Sequence, residues 1–297
     1  MRYVFIVNLS AGNKKITLKL IETVKKVMDI GGFNYKIVHT EYPNHATEIA
    51  RQEAQVGDEF VAFSCGGDGT IFEVVNGLAG FKNAILGVLP IGTGNDFVKS
   101  FGKREDFLDT NKQISGNIVD CDLIKADDVY SINQCSVGMD AMVGDNVKHF
   151  KRFHISGGLA YNLSVVYTLF CRFGAKLKIS IDNGPFVDKK CLFATCANGR
   201  YYGGGYYSAP TAITNDGFLD YSILNVSSKL KIISLLGQYK KGLHIDKDYC
   251  EYGKCSSMEI IADREIAVNV DGEIFKKKRV KFEIVKKGIR LLIPHIC

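Results

Sequence analysis

The rhythm of the first hundred residues constrains this chain more than any other feature. Short apolar runs alternate there with segments of helical spacing, and glycine-bearing loops join them. Tyr3–Asn8, Tyr35–His39, Glu59–Cys65 and Ile85–Leu89 read as strands. Ile16–Met28 carries Leu20, Ile21, Val24, Val27 and Met28 at helical spacing, and Ala46–Ala54, Thr70–Leu78 and Asn95–Phe101 read as further helices. Strand and helix in alternation predict a mainly parallel, doubly wound sheet with helices on both faces. Ligands of such folds sit at the carboxyl ends of the strands, which is where the glycine-bearing loops fall.

Near Val119 the rhythm changes. Cys121–Lys125, an Asp127-Asp128 turn and Tyr130–Cys135 suggest a hairpin, and two helical stretches follow at Ala141–Phe150 and Gly158–Phe173. Beyond Lys176 the pattern is mostly of period two, at Leu177–Ile181, Lys190–Ala197, Phe218–Leu224, Ser257–Ala262, Ile266–Val270, Val280–Val285 and Ile289–Ile293. Strands at this density predict a mainly antiparallel β-sandwich. The expected division is a nucleotide-binding α/β domain over 1–120 and a β-rich substrate domain over 121–288, with the last strand, 289–297, free to return to the first domain. At 297 residues and 46% hydrophobic content, each domain has enough apolar surface for its own core.

Charge and cysteine usage narrow the setting. A formal charge of +6 suits phosphate-bearing partners or simply a soluble surface, and no nucleic-acid recognition motif accompanies it. The nine Cys are scattered without a CxxC pair, which points to a reducing, cytoplasmic location rather than a disulfide framework or zinc site. The chain begins directly on a strand-like run, and no stretch reaches the roughly 18 clean apolar residues of a membrane span.

Three loops carry the chemistry. Gly66-Gly67-Asp68-Gly69-Thr70 follows a strand and opens a helix, so its glycines let the backbone approach a ligand and the helix N-terminus favours an anion. Asp68 would repel a phosphate there unless a divalent cation or a bridging network lies between them. Pro90-Ile91-Gly92-Thr93-Gly94-Asn95-Asp96-Phe97 repeats the strand–loop–helix arrangement, with Thr93 able to bond a phosphate and Asn95 or Asp96 able to cap the helix. Asn8-Leu9-Ser10-Ala11-Gly12 ends the first strand. Taken singly, each loop is explicable as a turn; two at the ends of consecutive strands are far more specific. Late in the chain, Asp271-Gly272-Glu273 follows the strand Val268-Asn269-Val270. It reads either as a hairpin turn or as the carboxylate source that phosphoryl transfer to an alcohol requires. In an extended conformation Asp271 and Glu273 would face the same side, and the sequence does not choose between them.

The order of these motifs resembles the diacylglycerol kinase catalytic family, especially its soluble bacterial lipid kinases. That family runs N-P-x-S-G, GGDGT, G-T-x-N-D and D-G-E; Leu9 and Ala11 depart from the first motif but leave Asn8 and Gly12. The resemblance implies an ATP site of Asn8, Gly12, Thr40, Gly66, Gly67, Asp68, Gly69, Thr70, Glu73 and Thr93. It implies a Mg²⁺-bridged network of Asp68, Asp96 and Asp122, with Asp68 joining Asp271 and Glu273 as catalytic residues. It also implies a structural Mg²⁺ on Asp216 and the carbonyls of Ile213 and Phe218, where the bare sequence reads as a turn. The activity implied is transfer of the γ-phosphoryl group of ATP to diacylglycerol, giving phosphatidic acid, by a protein peripheral to the inner membrane face; a homodimer is left open.

Other readings have specific markers. NAD kinase shares a GGDG loop, but Gly94-Asn95-Asp96 and Asp271-Gly272-Glu273 favour a lipid kinase. Sphingosine, ceramide, undecaprenol or phosphatidylglycerol are alternative acceptors, and Asp96 favours the diacylglycerol branch. A catalytically silent lipid- or nucleotide-binding protein is disfavoured because both late carboxylates are present. Lys276–Arg279 with Lys281, and the basic-aromatic stretch Lys148–His154, read as solvated faces or as surfaces for anionic headgroups. Tyr201–Tyr207, with three central glycines, reads as a loop packed by its aromatics.

Overall fold

The computed structural model describes residues 1–138, 175–225 and 229–295. They form two compact units. One comprises Met1–Leu123, Gly203–Gly205 and the chain from Val285 onward; the other comprises Ile124–Tyr202 and Tyr206–Ile284.

In the first unit, β1 (Arg2–Val7) pairs in parallel with β2 (Asn34–His39) on one side and β3 (Phe60–Gly66) on the other. Strand β3 pairs in parallel with β4 (Ala84–Pro90), and β4 with Arg290 and Leu291 of the last strand, β14 (Glu273–Ile293). Strands β3 and β4 are buried at every position, which is why they read as continuous apolar runs rather than alternating ones. Helix α1 (Lys14–Ile30) starts where the Asn13 side chain accepts from the Lys15 and Ile16 N–H groups. It packs Ile21, Val24 and Met28 into a core with Tyr3, Phe5, Val61 and Phe63. The Phe5 and Phe63 rings stack with centroids 4.7 Å apart. Helix α2 (His45–Gln55) is tied to α3 (Asp68–Leu78) where Thr47 Oγ1 donates to the Glu73 carbonyl at 2.8 Å.

The second unit is antiparallel. Its strands include β6 (Val129–Ser131), β7 (Gln134–Gly138), β8 (Ala175–Ile181), β9 (Val187–Cys191), β10 (Phe193–Ala197), β11 (Leu219–Leu224), β12 (Cys250–Cys255) and β13 (Ser257–Val270), together with the first part of β14. Their main order is β12-β11-β10-β7-β13-β14, with β8 on β13 and β9 beyond it. Strand β5 (Asn117–Ala126) carries the chain from the first unit into the second. The α/β class of the first unit and the antiparallel class of the second agree with the sequence pattern.

Several element boundaries differ from that pattern. The run Lys190–Ala197 is split at Leu192 into β9 and β10. Ser257–Ala262 and Ile266–Val270 form one strand, whose register shifts between Ile261 and Ile266 around the exposed Asp263, Arg264 and Glu265. Helix Lys229–Lys240 and strand β12 carried no clear period in the sequence; β12, Cys-Glu-Tyr-Gly-Lys-Cys, has no β-branched residue at all. The expected helices Ala141–Phe150 and Gly158–Phe173, and the patch Lys148–His154, lie outside the described residues. Among the described residues the cysteines are free, and burial pushes the Cys191 and Cys250 thiols up to about 12, so they stay protonated.

Candidate active site

The three loops of the first unit interlock at the carboxyl ends of β1, β3 and β4. The Gly66 carbonyl, closing β3, accepts from Ile91 and Gly92 N–H at 2.9 and 3.0 Å, which fastens the loop after β4 to the loop after β3. Asn8 Nδ2 donates to Thr70 Oγ1 at 3.1 Å, fastening the loop after β1 to the start of α3. Glycine is required where these loops touch. Gly12 has φ +67°, and a Cβ there would lie 2.1 Å from the Ile91 carbonyl oxygen; a Cβ on Gly92 would lie 2.4 Å from Gly67 Cα. The result is a cradle of close backbone. The Thr70 and Ile71 N–H groups donate to the Gly67 carbonyl at 2.9 and 3.1 Å, which starts α3 at this loop, and a helix N-terminus suits an anion.

Asp68 is the first residue of α3, and its Oδ1 accepts the Asp96 N–H at 2.9 Å. Asp96 spends its own carboxylate on Lys99 Nζ, at 2.5 Å, and on the Gly204 N–H, at 2.6 Å. Asn95 holds its loop closed by donating to the Pro90 and Gly92 carbonyls. Asn8, Gly12, Gly66, Gly67, Asp68, Thr70 and Asp96 are thus brought together, with Thr93 exposed at the tip of its loop. Thr40, Glu73 and Asp122 make other contacts. The Thr40 N–H, just past β2, continues the sheet by donating to the Val7 carbonyl. Glu73 accepts the Ala46 N–H at the start of α2, at 3.1 Å. Asp122 is 1% exposed on β5 and accepts the Lys287 N–H at 2.6 Å.

In the second unit, Asp271-Gly272 forms a two-residue hairpin turn between β13 and β14, with Val270 opposite Glu273. Both turn residues have positive φ, +50° and +96°, as a turn of the primed type requires. The extended arrangement of Asp271 is therefore not adopted. Its carboxylate is turned inward and accepts from Ser131 Oγ (2.6 Å) and from the N–H groups of Ile132 (2.8 Å), Asn133 (3.2 Å) and Gln134 (2.8 Å). Burial raises its pKa against the opposing pull of these four donors. Glu273 opens β14 and is half-buried.

At the Asp216 turn, Asp216 Oδ1 accepts the Phe218 N–H at 3.0 Å, and Ile213 and Phe218 are exposed. Asp216 Oδ2 is occupied by Lys254 Nζ at 2.5 Å. Sequence reasoning did not single out Lys254, Lys99, Gly204 or the Ser131–Gln134 turn as parts of these sites. Only the three consecutive glycines at 203–205 left a mark in the sequence, since each has positive φ.

Interlocked glycine loops at strand ends, a carboxylate on the first turn of a helix and a separate antiparallel unit carrying a carboxylate hairpin define a nucleotide-using phosphotransferase. Comparison with known proteins specifies which. Residues 2–126 match the diacylglycerol kinase catalytic domain, and residues 133–293 match the YegS C-terminal NAD kinase beta sandwich-like domain. Relatives include the "Probable lipid kinase YegS-like" of Shewanella frigidimarina, 30% identical over 78% of this chain and 76% of its own length. The "Diacylglycerol kinase" of Bacillus subtilis is 28% identical over 97% of this chain and 95% of its own. Among solved structures, a diacylglycerol kinase from Bacillus anthracis superposes with a TM-score of 0.73 at 23% identity, covering 98% of this chain and 96% of that one. An NAD kinase from Archaeoglobus fulgidus in complex with ATP shares the fold alone, at a TM-score of 0.55 and 13% identity, covering 98% and 93%. The chain belongs to the diacylglycerol kinase catalytic-domain family. It is a lipid kinase of the kind that joins this domain to a YegS-type C-terminal domain, and a kinase domain implies the use of ATP.

Proposed function

We propose that this lipid kinase transfers the γ-phosphoryl group of ATP to the free hydroxyl of diacylglycerol, giving phosphatidic acid at the membrane surface. The observation that carries the reading is the interlock of Asn8–Gly12, Gly66–Thr70 and Pro90–Asp96. It leaves backbone amides and a helix N-terminus, rather than bulky side chains, facing the place for a triphosphate. Asp68 at that helix start would hold a Mg²⁺ ion together with the phosphates, and such an ion neutralises their charge during transfer. Asp96 positions Asp68 through its backbone N–H and binds the Gly203–Gly205 loop through its carboxylate. Asp122 lies away from these loops, since it accepts the N–H of Lys287, three residues before Arg290, which pairs with Ile85 near the start of β4.

A glycerolipid hydroxyl is a poor nucleophile unless a carboxylate takes its proton as the new bond forms. The Asp271 carboxylate is buried and turned inward on four donors, away from any acceptor, so we assign the base to Glu273 and the fixing of the turn to Asp271. Among the described residues no helix is long and apolar enough to cross a membrane. The test is a labelled-ATP assay against diacylglycerol, undecaprenol, phosphatidylglycerol, sphingosine and NAD, run with the native chain and with Glu273→Gln. Diacylglycerol should be the preferred acceptor, and the variant should lose turnover on it. Preference for NAD or another lipid would overturn the substrate assignment.

A further inference from the structure

The resemblance places a structural Mg²⁺ on Asp216, yet the second unit already carries a cation there. Lys254 lies on β12 directly opposite Asp220 of β11. Its Nζ is 2.5 Å from Asp216 Oδ2 and 3.1 Å from Asp220 Oδ2. Asp220 is 1% exposed, and its other oxygen accepts from Thr211 Oγ1 at 2.6 Å and Tyr252 OH at 2.7 Å. A buried carboxylate of this kind needs a counter-charge, and the ammonium supplies one that the chain itself carries. Both Asp216 oxygens are engaged, Oδ1 by the Phe218 N–H and Oδ2 by the Lys254 ammonium, so a metal ion at this turn would stand against a positive charge already in place, which the residues present do not favour.

The register shows what this cation is connected to. Asp220 faces Ala197 of β10, and Ala197 faces Gln134 of β7. Gln134 lies beside Asp271, whose N–H donates to the Gln134 carbonyl at 3.0 Å. Lys254, Asp220, Ala197, Gln134 and Asp271 therefore form one row across the strands, roughly 19 Å long at the usual strand spacing. The segment Ser208–Ala212 lies along this row. Ser208 Oγ donates to Gln134 Oε1 at 2.6 Å, Ala209 and Ala212 pack on Ala197, and Thr211 reaches Asp220.

We infer that Lys254 is the resident cation of the Asp216 turn and, by clamping Asp216 and Asp220, anchors the Ser208–Ala212 segment that steadies Gln134 and the Asp271 hairpin. Lys254 is then a positioning residue, two strands and a segment away from the chemistry. The inference concerns the ion balance of the second unit and can be tested without turnover, so it stands or falls separately from the lipid assignment.

The test measures metal content and thermal melting of the full chain after exhaustive dialysis against a chelator, then again with millimolar Mg²⁺. The native chain should hold no stoichiometric Mg²⁺ and should melt at the same temperature in both buffers. Lys254→Met should melt lower, on the order of 5 °C for a chain of this size, and should regain part of the loss in Mg²⁺ once its two carboxylates have no ammonium between them. Lys254→Arg, which restores a charged donor, should melt close to the native chain. A native chain that loses melting temperature on chelation, or retains one tightly bound Mg²⁺ per chain, would overturn the inference. So would a Lys254→Met chain that melts like the native one. If Lys254→Met does not fold, the native chain's response to chelation and the melting of Lys254→Arg still decide the matter.

Discussion

Replacing Asp271 and Glu273 separately should give opposite phenotypes. Asp271 is 9% exposed and its carboxylate satisfies four donors, three of them backbone N–H groups of one turn. In Asp271→Ala all four lose their acceptor. A buried donor left without a partner costs about 1–3 kcal/mol, so allowing for water reaching one or two of them the loss is about 4 kcal/mol. That is a large part of the 5–15 kcal/mol that holds a typical domain together. Asp271→Asn should lose less, about 2 kcal/mol, because its amide oxygen still accepts while its NH₂ faces donors. Glu273→Gln keeps the size and shape of the half-buried side chain and should cost about 1 kcal/mol or less. It should lower turnover about 10²–10⁴-fold, the usual cost of losing general-base help. Urea unfolding followed by circular dichroism reports the first quantity, and initial rates on the preferred lipid report the second. The reasoning is refuted if Asp271→Asn is as stable as the native chain yet inactive while Glu273→Gln keeps its turnover, for then the buried carboxylate would be the base.

Three further outcomes follow from the same geometry. Asp68→Ala should fold normally but lose turnover, and near-native rates would reduce Asp68 to a turn residue. Gly12→Ala combines a left-handed backbone, costing about 1–2 kcal/mol, with a Cβ 2.1 Å from the Ile91 carbonyl oxygen; calorimetric titration should show nucleotide affinity falling at least about tenfold, and unchanged affinity would mean that the two loops do not need to meet. His244 is fully buried beside Tyr239, and desolvation lowers its pKa from 6.5 to about 4. The unfolded chain therefore binds the extra proton first, so stability contributed by neutral His244 is complete above pH 6.5 and is lost as pH falls from 6.5 towards 4, in total about 3 kcal/mol; His244→Gln should flatten that slope, measured by urea midpoints across the range, and an unchanged slope would assign it to other groups.

The fold was legible where local pattern and burial coincide. Strands β3 and β4 are buried on both faces and announced themselves as unbroken apolar runs, while α1 showed its core stripe of Ile21, Val24 and Met28. The glycine loops were legible for a different reason: close approach of two backbones excludes every other residue, as at Gly12 and Gly92. Residues whose role depends on a distant partner left no such signal. Lys254 looks like any strand lysine until β12 is laid beside β11. Asp271 and Glu273 look equivalent until the Ser131–Gln134 turn, about 140 positions earlier, encloses one of them. Sequence spacing describes a strand's own faces, but not which turn will fold over its end.

On the function proposed above, the loops after β1, β3 and β4 hold the phosphates of ATP. A crystal structure of the chain with a non-hydrolysable ATP analogue and Mg²⁺ tests it most directly. The triphosphate should lie against the Gly67–Gly69 backbone and the Thr93–Asn95 loop, with the ion next to Asp68 and the Asn8–Gly12 loop beside the nucleotide. A nucleotide bound elsewhere on the chain, or phosphates pointing away from the start of α3, would contradict the account.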